Sequence, residues 1–126
     1  MAVAAAAVAR GEGAALVTLA VRLTPAGATR DGLEIACSVP LGASPEEAAR
    51  VLGSGAQVAA FDTVPFALWC ARRHADPCDY VEALWCTAAG RGDVDTPCAI
   101  VGSIIALGDA PPAAWRAARE PLDLAR

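Results

Sequence analysis

Gly90-Arg91-Gly92-Asp93-Val94-Asp95-Thr96-Pro97-Cys98-Ala99-Ile100-Val101-Gly102-Ser103-Ile104-Ile105-Ala106-Leu107-Gly108 reads as a backbone break, a polar turn and an apolar helix, in that order. Asp95-Thr96-Pro97 is a helix opening, because a polar side chain can accept from the free amides and proline needs no donor there. Ile100, Val101, Ile104 and Ile105 then fall on one face at helical spacing and are expected to be buried. Gly102 and Ser103 are small enough to let a neighbouring helix come close, and Gly108 ends the run. A helix this apolar needs other helices to cover it.

The flanking sequence supplies them. Upstream, Asp76-Pro77 is expected to cap a helix whose Val81, Leu84, Trp85 and Ala88 form an apolar stripe. Before it, Thr63–Arg73 reads as a helix with Val64, Ala67, Leu68 and Ala71 on one face. Ser44-Pro45-Glu46-Glu47 has the form of a capping box, and its helix stops at Gly53-Ser54-Gly55. Nearer the start, helices are expected over Ala26–Cys37, Ala14–Leu23 and the alanine-rich segment up to Arg10, with Leu41-Gly42-Ala43 as loop. Downstream, Pro111-Pro112 begins a short helix carrying Trp115. Sustained period-two alternation is missing, and the one Asp-Gly pair, Asp31-Gly32, lacks strand-like flanks. The fold class is all-α, in one domain over residues 1–126.

Composition narrows the function. The 126 residues carry a net charge of −4, no lysine and no basic block, which argues against a nucleic-acid surface. No run approaches the ~18 apolar residues of a membrane span. Met1–Arg10 lacks the basic start of a signal peptide and reads as a helix. Cys37, Cys70, Cys78, Cys86 and Cys98 are odd in number and contain no CxxC, and His74 is the one histidine, so no zinc constellation forms. Reduced thiols in a cytoplasmic protein are expected. A mean hydropathy of +0.42 is high for a small domain and points to a surface covered by another segment or subunit.

Polar groups converge in an apolar context at Asp93, Asp95 and Thr96. Two carboxylates and a hydroxyl, without His or Cys, suit a hard cation such as magnesium or manganese better than zinc. Spacing alone leaves a second reading open, since acids and threonine at a helix start are ordinary caps stabilised by the dipole. Gly53-Ser54-Gly55 reads as a helix stop. Trp69, Trp85 and Trp115 suit helix packing, with base stacking as the lesser alternative. Glu46 and Glu47 read as cap residues, Cys98 as structural, and His74 as a cation at a helix C-terminus.

The stretch Gly92-Asp93-Val94-Asp95-Thr96 with its apolar continuation resembles the Gly-Gly-Asp-Thr-Asp-Thr signature of the ADP-ribosylglycohydrolase family. The likeness runs upstream through Ala59-Ala60-Phe61-Asp62-Thr63-Val64-Pro65-Phe66-Ala67-Leu68 to Gly53-Ser54-Gly55, and downstream to Pro112 and Trp115. Residues from about Leu52 to Trp115 match in order and spacing, and the earlier ones match loosely. The resemblance implies that Asp93, Asp95 and Thr96 ligate a pair of magnesium ions, with manganese as an alternative. It implies that Gly53, Ser54 and Gly55 border the adenosine end of ADP-ribose. The implied reaction is hydrolysis of the bond between ADP-ribose and a modified protein side chain, in which Asp95 could also act as base.

Arg91 stands where the family has the first glycine of its pair, and Val94 where it has threonine. Arg91 is either solvated or faces the diphosphate. The family's remaining magnesium ligands come from an N-terminal Thr/Ser-Asp-Asp motif, and only Glu12 precedes Asp31 here. The chain is therefore expected to be the C-terminal half of the fold. On that reading it needs an N-terminal half or a second copy of itself to act on ADP-ribosylated protein or an ADP-ribose-like molecule. The alternative is a non-catalytic helical remnant serving as a binding or oligomerisation module.

Overall fold

The computed structural model describes residues 1–121. They form eight α-helices and one 3-10 turn: α1 (Ala2–Ala9), the turn Gly13–Ala15, α2 (Leu16–Leu23), α3 (Ala28–Ser38), α4 (Pro45–Leu52), α5 (Ala60–Arg73), α6 (Tyr80–Ala89), α7 (Asp95–Ile105) and α8 (Ala113–Ala118). The all-α class is as expected; no extended strand forms among the described residues, only one isolated bridge between Ala75 and Cys78.

The longest helix, α5, is the axis of the bundle, and α2, α3, α4, α6 and α7 all pack on it. Its residues from Asp62 to Ala71 are buried except for half-buried Val64, so the single-face expectation for this helix was too narrow. The helix also starts at Ala60, three residues before the expected Thr63. Pro65 lies inside it, and Gly32 lets α3 pack against the Pro65 ring, where a Cβ would clash with it. Phe66 and Trp69 stack with ring centroids 6.2 Å apart. The Trp69 indole N–H donates to the Val39 carbonyl at 3.3 Å, and the Arg73 guanidinium lies 5.4 Å over the Trp69 ring. Full burial of such side chains stabilises by roughly 1.5–3 kcal/mol each, which makes α5 the main source of cohesion.

Local chemistry explains the better-placed ends. Ser44 Oγ accepts from the Glu47 amide at 3.2 Å while the Glu47 carboxylate accepts from the Ser44 amide at 3.1 Å, the capping box read from the sequence. Those hydrogen bonds to Ser44 hold the Glu47 carboxyl below its ordinary value. The alanine-rich α1 buries Ala4, Ala7 and Val8 against α2 and α7, so small residues make its contact face.

The expectation for α6 needs correcting. Its cap is Asp79, whose carboxylate accepts from the Glu82 amide at 3.0 Å, and Asp76-Pro77 forms the preceding turn. Ala83, Cys86 and Thr87 face the core, whereas Trp85 is 65% exposed. Close packing is the reason. Gly90 meets the Phe66 ring, leaving room for small side chains on this face. In α7, Val101, Ile104 and Ile105 are buried as expected, Ile100 is half-buried, and Ser103 is exposed rather than at a helix contact. Gly102 does meet a neighbour, since a Cβ there would lie 3.1 Å from the Tyr80 hydroxyl. Asp109 closes this end by accepting from the Tyr80 amide at 2.8 Å. Trp115 packs edge-on to Tyr80, at 6.2 Å between centroids, and stays partly exposed.

Candidate functional site

Two loops meet where α5 and α7 begin. One joins α4 to α5 and contains Gly53-Ser54-Gly55; the other joins α6 to α7 and contains Arg91-Gly92-Asp93. The Asp93 amide donates to the Ser54 carbonyl at 3.1 Å. Gly92, at φ +73°, lies so close to Ser54 that a Cβ would overlap it. Gly55, at φ +83°, would place a Cβ 3.1 Å from that of Asp93 and 3.4 Å from the Thr63 hydroxyl. Segments nearly forty residues apart in the chain are thus stacked directly on each other.

Asp62 holds the first loop in shape. Its backbone carbonyl accepts from the Gly55 amide at 2.9 Å, and its buried carboxylate accepts from the Gln57 amide at 2.8 Å. Residue reading did not single out Asp62 as a loop-former. Its signal was a lone acid in the first turn of an apolar helix.

Beside the stacked loops is a cleft of about 230 Å³ lined by Val58, Ala59, Ala60, Thr63, Val64, Asp93, Thr96 and Ile100. Asp93 and Thr96 therefore line it, while Asp95 is exposed and does not. Gly53 and Ser54 border neighbouring grooves instead: Gly53 one between α3 and α5, Ser54 one with Glu46, Arg50 and Arg91. Asp93 Oδ1 accepts from the Thr96 amide at 3.3 Å. Hydrogen bonds from the Thr96 side chain and backbone hold the Asp93 carboxyl below its ordinary value, so it is anionic at neutral pH.

The backbone here is strained at two positions. Arg91 has φ +61° and Val58 has φ +53°, a left-handed conformation that side chains with a Cβ disfavour. Arg91 is exposed. A glycine would be relaxed at its position.

A family model described as ADP-ribosylglycohydrolase matches residues 1–125. The chain belongs to the ADP-ribosylglycohydrolase family. The match takes in the first fifty residues, which residue-by-residue reading had aligned only loosely. Comparisons with curated proteins and with solved structures returned no match.

A family member of this kind raises the question of a metal. Two carboxylates and a hydroxyl at one helix start fit a hard cation in chemistry. They fall short in number, since octahedral magnesium takes six oxygens and two ions need more. Among the described residues no group of three His, Cys, Asp or Glu side chains is placed to hold a metal ion. Asp62 cannot make up the set as it stands, because both its oxygens are turned onto Gln57. Further ligands would be water or come from another polypeptide segment.

Proposed function

We propose that this ADP-ribosylglycohydrolase-family chain supplies one face of a magnesium-dependent site that hydrolyses the glycosidic bond between ADP-ribose and a modified protein side chain. The observation that supports this is the stacking of Gly53-Ser54-Gly55 on Gly92-Asp93, with the Asp93 amide 3.1 Å from the Ser54 carbonyl. It joins the proposed ligand loop and the proposed metal residues in one place.

Asp93, Asp95 and Thr96 would contribute oxygens to the family's two magnesium ions, or to manganese in their stead. Bound there, the metal would act as a Lewis acid and lower the pKa of a coordinated water. Asp93 is already anionic and fixed by Thr96. Asp95 makes no side-chain hydrogen bond within the described residues and is free to orient a water or take its proton. The apolar walls of Val58, Ala59, Ala60, Val64 and Ile100 suit a flat heterocycle or a sugar face. At about 230 Å³ the cleft is smaller than the ~300–1,000 Å³ of whole-ligand pockets, so it would take one end of ADP-ribose. No helix among the described residues is long and apolar enough to cross a membrane. A cytoplasmic location is proposed from the free thiols.

The second reading is a non-catalytic helical module. Exposed Val58, Phe61 and Trp85 favour it, because apolar side chains of this size suit contact with further protein. One experiment separates the two. The purified chain is incubated with mono-ADP-ribosylated peptides and magnesium, and released ADP-ribose is quantified, with Asp95→Ala and a chelator as controls. Release abolished by both supports the enzyme reading. No release from arginine- or serine-linked acceptors, even with an N-terminal half added in trans, supports the module.

A further inference from the structure

Away from the cleft, α5 and α6 bring two thiols together inside the bundle. Cys70 and Cys86 are both buried, and their sulfurs lie 3.9 Å apart. The ring of His74, the C-cap of α5, lies beside Cys86, and its Nε2 is buried without a hydrogen-bond partner. Nothing in the proposed hydrolysis uses these groups.

We propose that Cys86 and Cys70 are a peroxide-reactive thiol pair that closes to an intrachain disulfide between α5 and α6. The proposal does not rest on the hydrolase reading. The two thiols are not equivalent. Contact with the Cys70 sulfur, together with the nearby His74 ring, holds the Cys86 thiol below its ordinary value. Burial and the same contact push Cys70 up. Arg73 adds positive charge near both. Cys86 keeps slight solvent exposure and Cys70 has none, so Cys86 is the attacking thiol and Cys70 the resolving one.

The chemistry balances with a hydroperoxide as oxidant. The Cys86 thiolate attacks one peroxide oxygen, an S–O bond forms, the O–O bond breaks, and the other oxygen leaves as alcohol or water. A proton from solvent completes that leaving oxygen. Cys70 sulfur then attacks Cys86 sulfur, an S–S bond forms, and the S–O bond breaks. Hydroxide leaves with the Cys70 proton as water. The sulfurs lose two electrons and the peroxide gains two. Cys86 is nearly covered, so the oxidant must be small.

The test uses the full chain, reduced and then exposed to one equivalent of hydrogen peroxide at pH 7. Free thiols are alkylated and the digest is mapped by mass spectrometry. The expected result is loss of two of the five thiols, a linked peptide pair containing Cys70 and Cys86, and full recovery with dithiothreitol. Oxidation at exposed Cys37 with Cys70 and Cys86 still reduced would overturn the proposal, as would a disulfide to any other cysteine. In Cys70→Ser, dimedone should trap a sulfenic acid at Cys86; its absence from a folded variant would overturn the assigned order. If that variant does not fold, the wild-type map still decides.

Discussion

Helices α5 and α7 both begin at the cleft, yet they are built differently. α5 is buried along nearly its whole length, whereas α7 leaves Asp95 and Thr96 exposed at its start and buries Pro97, Val101, Gly102, Ile104 and Ile105. The difference separates two jobs. α5 carries the packing on which every neighbouring helix depends. The start of α7 carries carboxylates that nothing in the core requires. Residues that could serve a ligand sit where a substitution costs little stability.

The sharpest way to break that contrast is Phe66→Ala, in the middle of α5. Loss of this buried ring, stacked on Trp69 and against Gly90, should destabilise by about 3–5 kcal/mol in urea unfolding. A loss below 1 kcal/mol would mean that α5 is not the axis of the core. Gly92→Ala comes next, at the joint between the two loops. A left-handed backbone and overlap with Ser54 together should cost about 2–4 kcal/mol. Equal stability to wild type would show that the loops are not stacked as described.

Smaller effects of the opposite sign are expected at the strained positions. Val58→Gly and Arg91→Gly should each stabilise by about 0.5–1 kcal/mol, because relief of the left-handed strain exceeds the added chain entropy of glycine. A lowered urea midpoint in both would count against that geometry. Smallest of all is the Asp93–Thr96 hydrogen bond at the start of α7. The Asp93 carboxyl is held below its ordinary value by Thr96, so the folded state binds its proton less readily than the unfolded state. Its stabilisation is therefore full above the ordinary aspartate range and lost as pH falls through the lowered value. The gap between wild type and Asp93→Ala should shrink between pH 6 and pH 2.5. A constant gap would show that the carboxylate charge is not involved.

Much of this architecture was readable in the residues. Ser44-Pro45-Glu46-Glu47 announced α4 because a capping box is satisfied within four residues. Gly53-Ser54-Gly55 and Gly92-Asp93 were visible as motifs for the same reason, each being a local pattern. Of the stripe expected on α6, Val81, Leu84 and Ala88 are half-buried and Trp85 is exposed, although all four share the spacing. Periodicity reports which residues share a face, but the room available is set by the neighbouring helix. With Phe66 against Gly90, small side chains fit inside and Trp85 is left outside. His74 was likewise read as a surface cation, and packing placed its Nε2 in the interior.

The sequence by itself determined the all-α class and most helix ends, because caps and breaks are local chemistry. The tertiary structure alone decided that Gly53–Gly55 lies on Gly92–Asp93, that Asp62 ties the loop, and that Cys70 meets Cys86. Those contacts join residues far apart in the chain, and their geometry follows from how closely α4, α6 and α7 can approach α5.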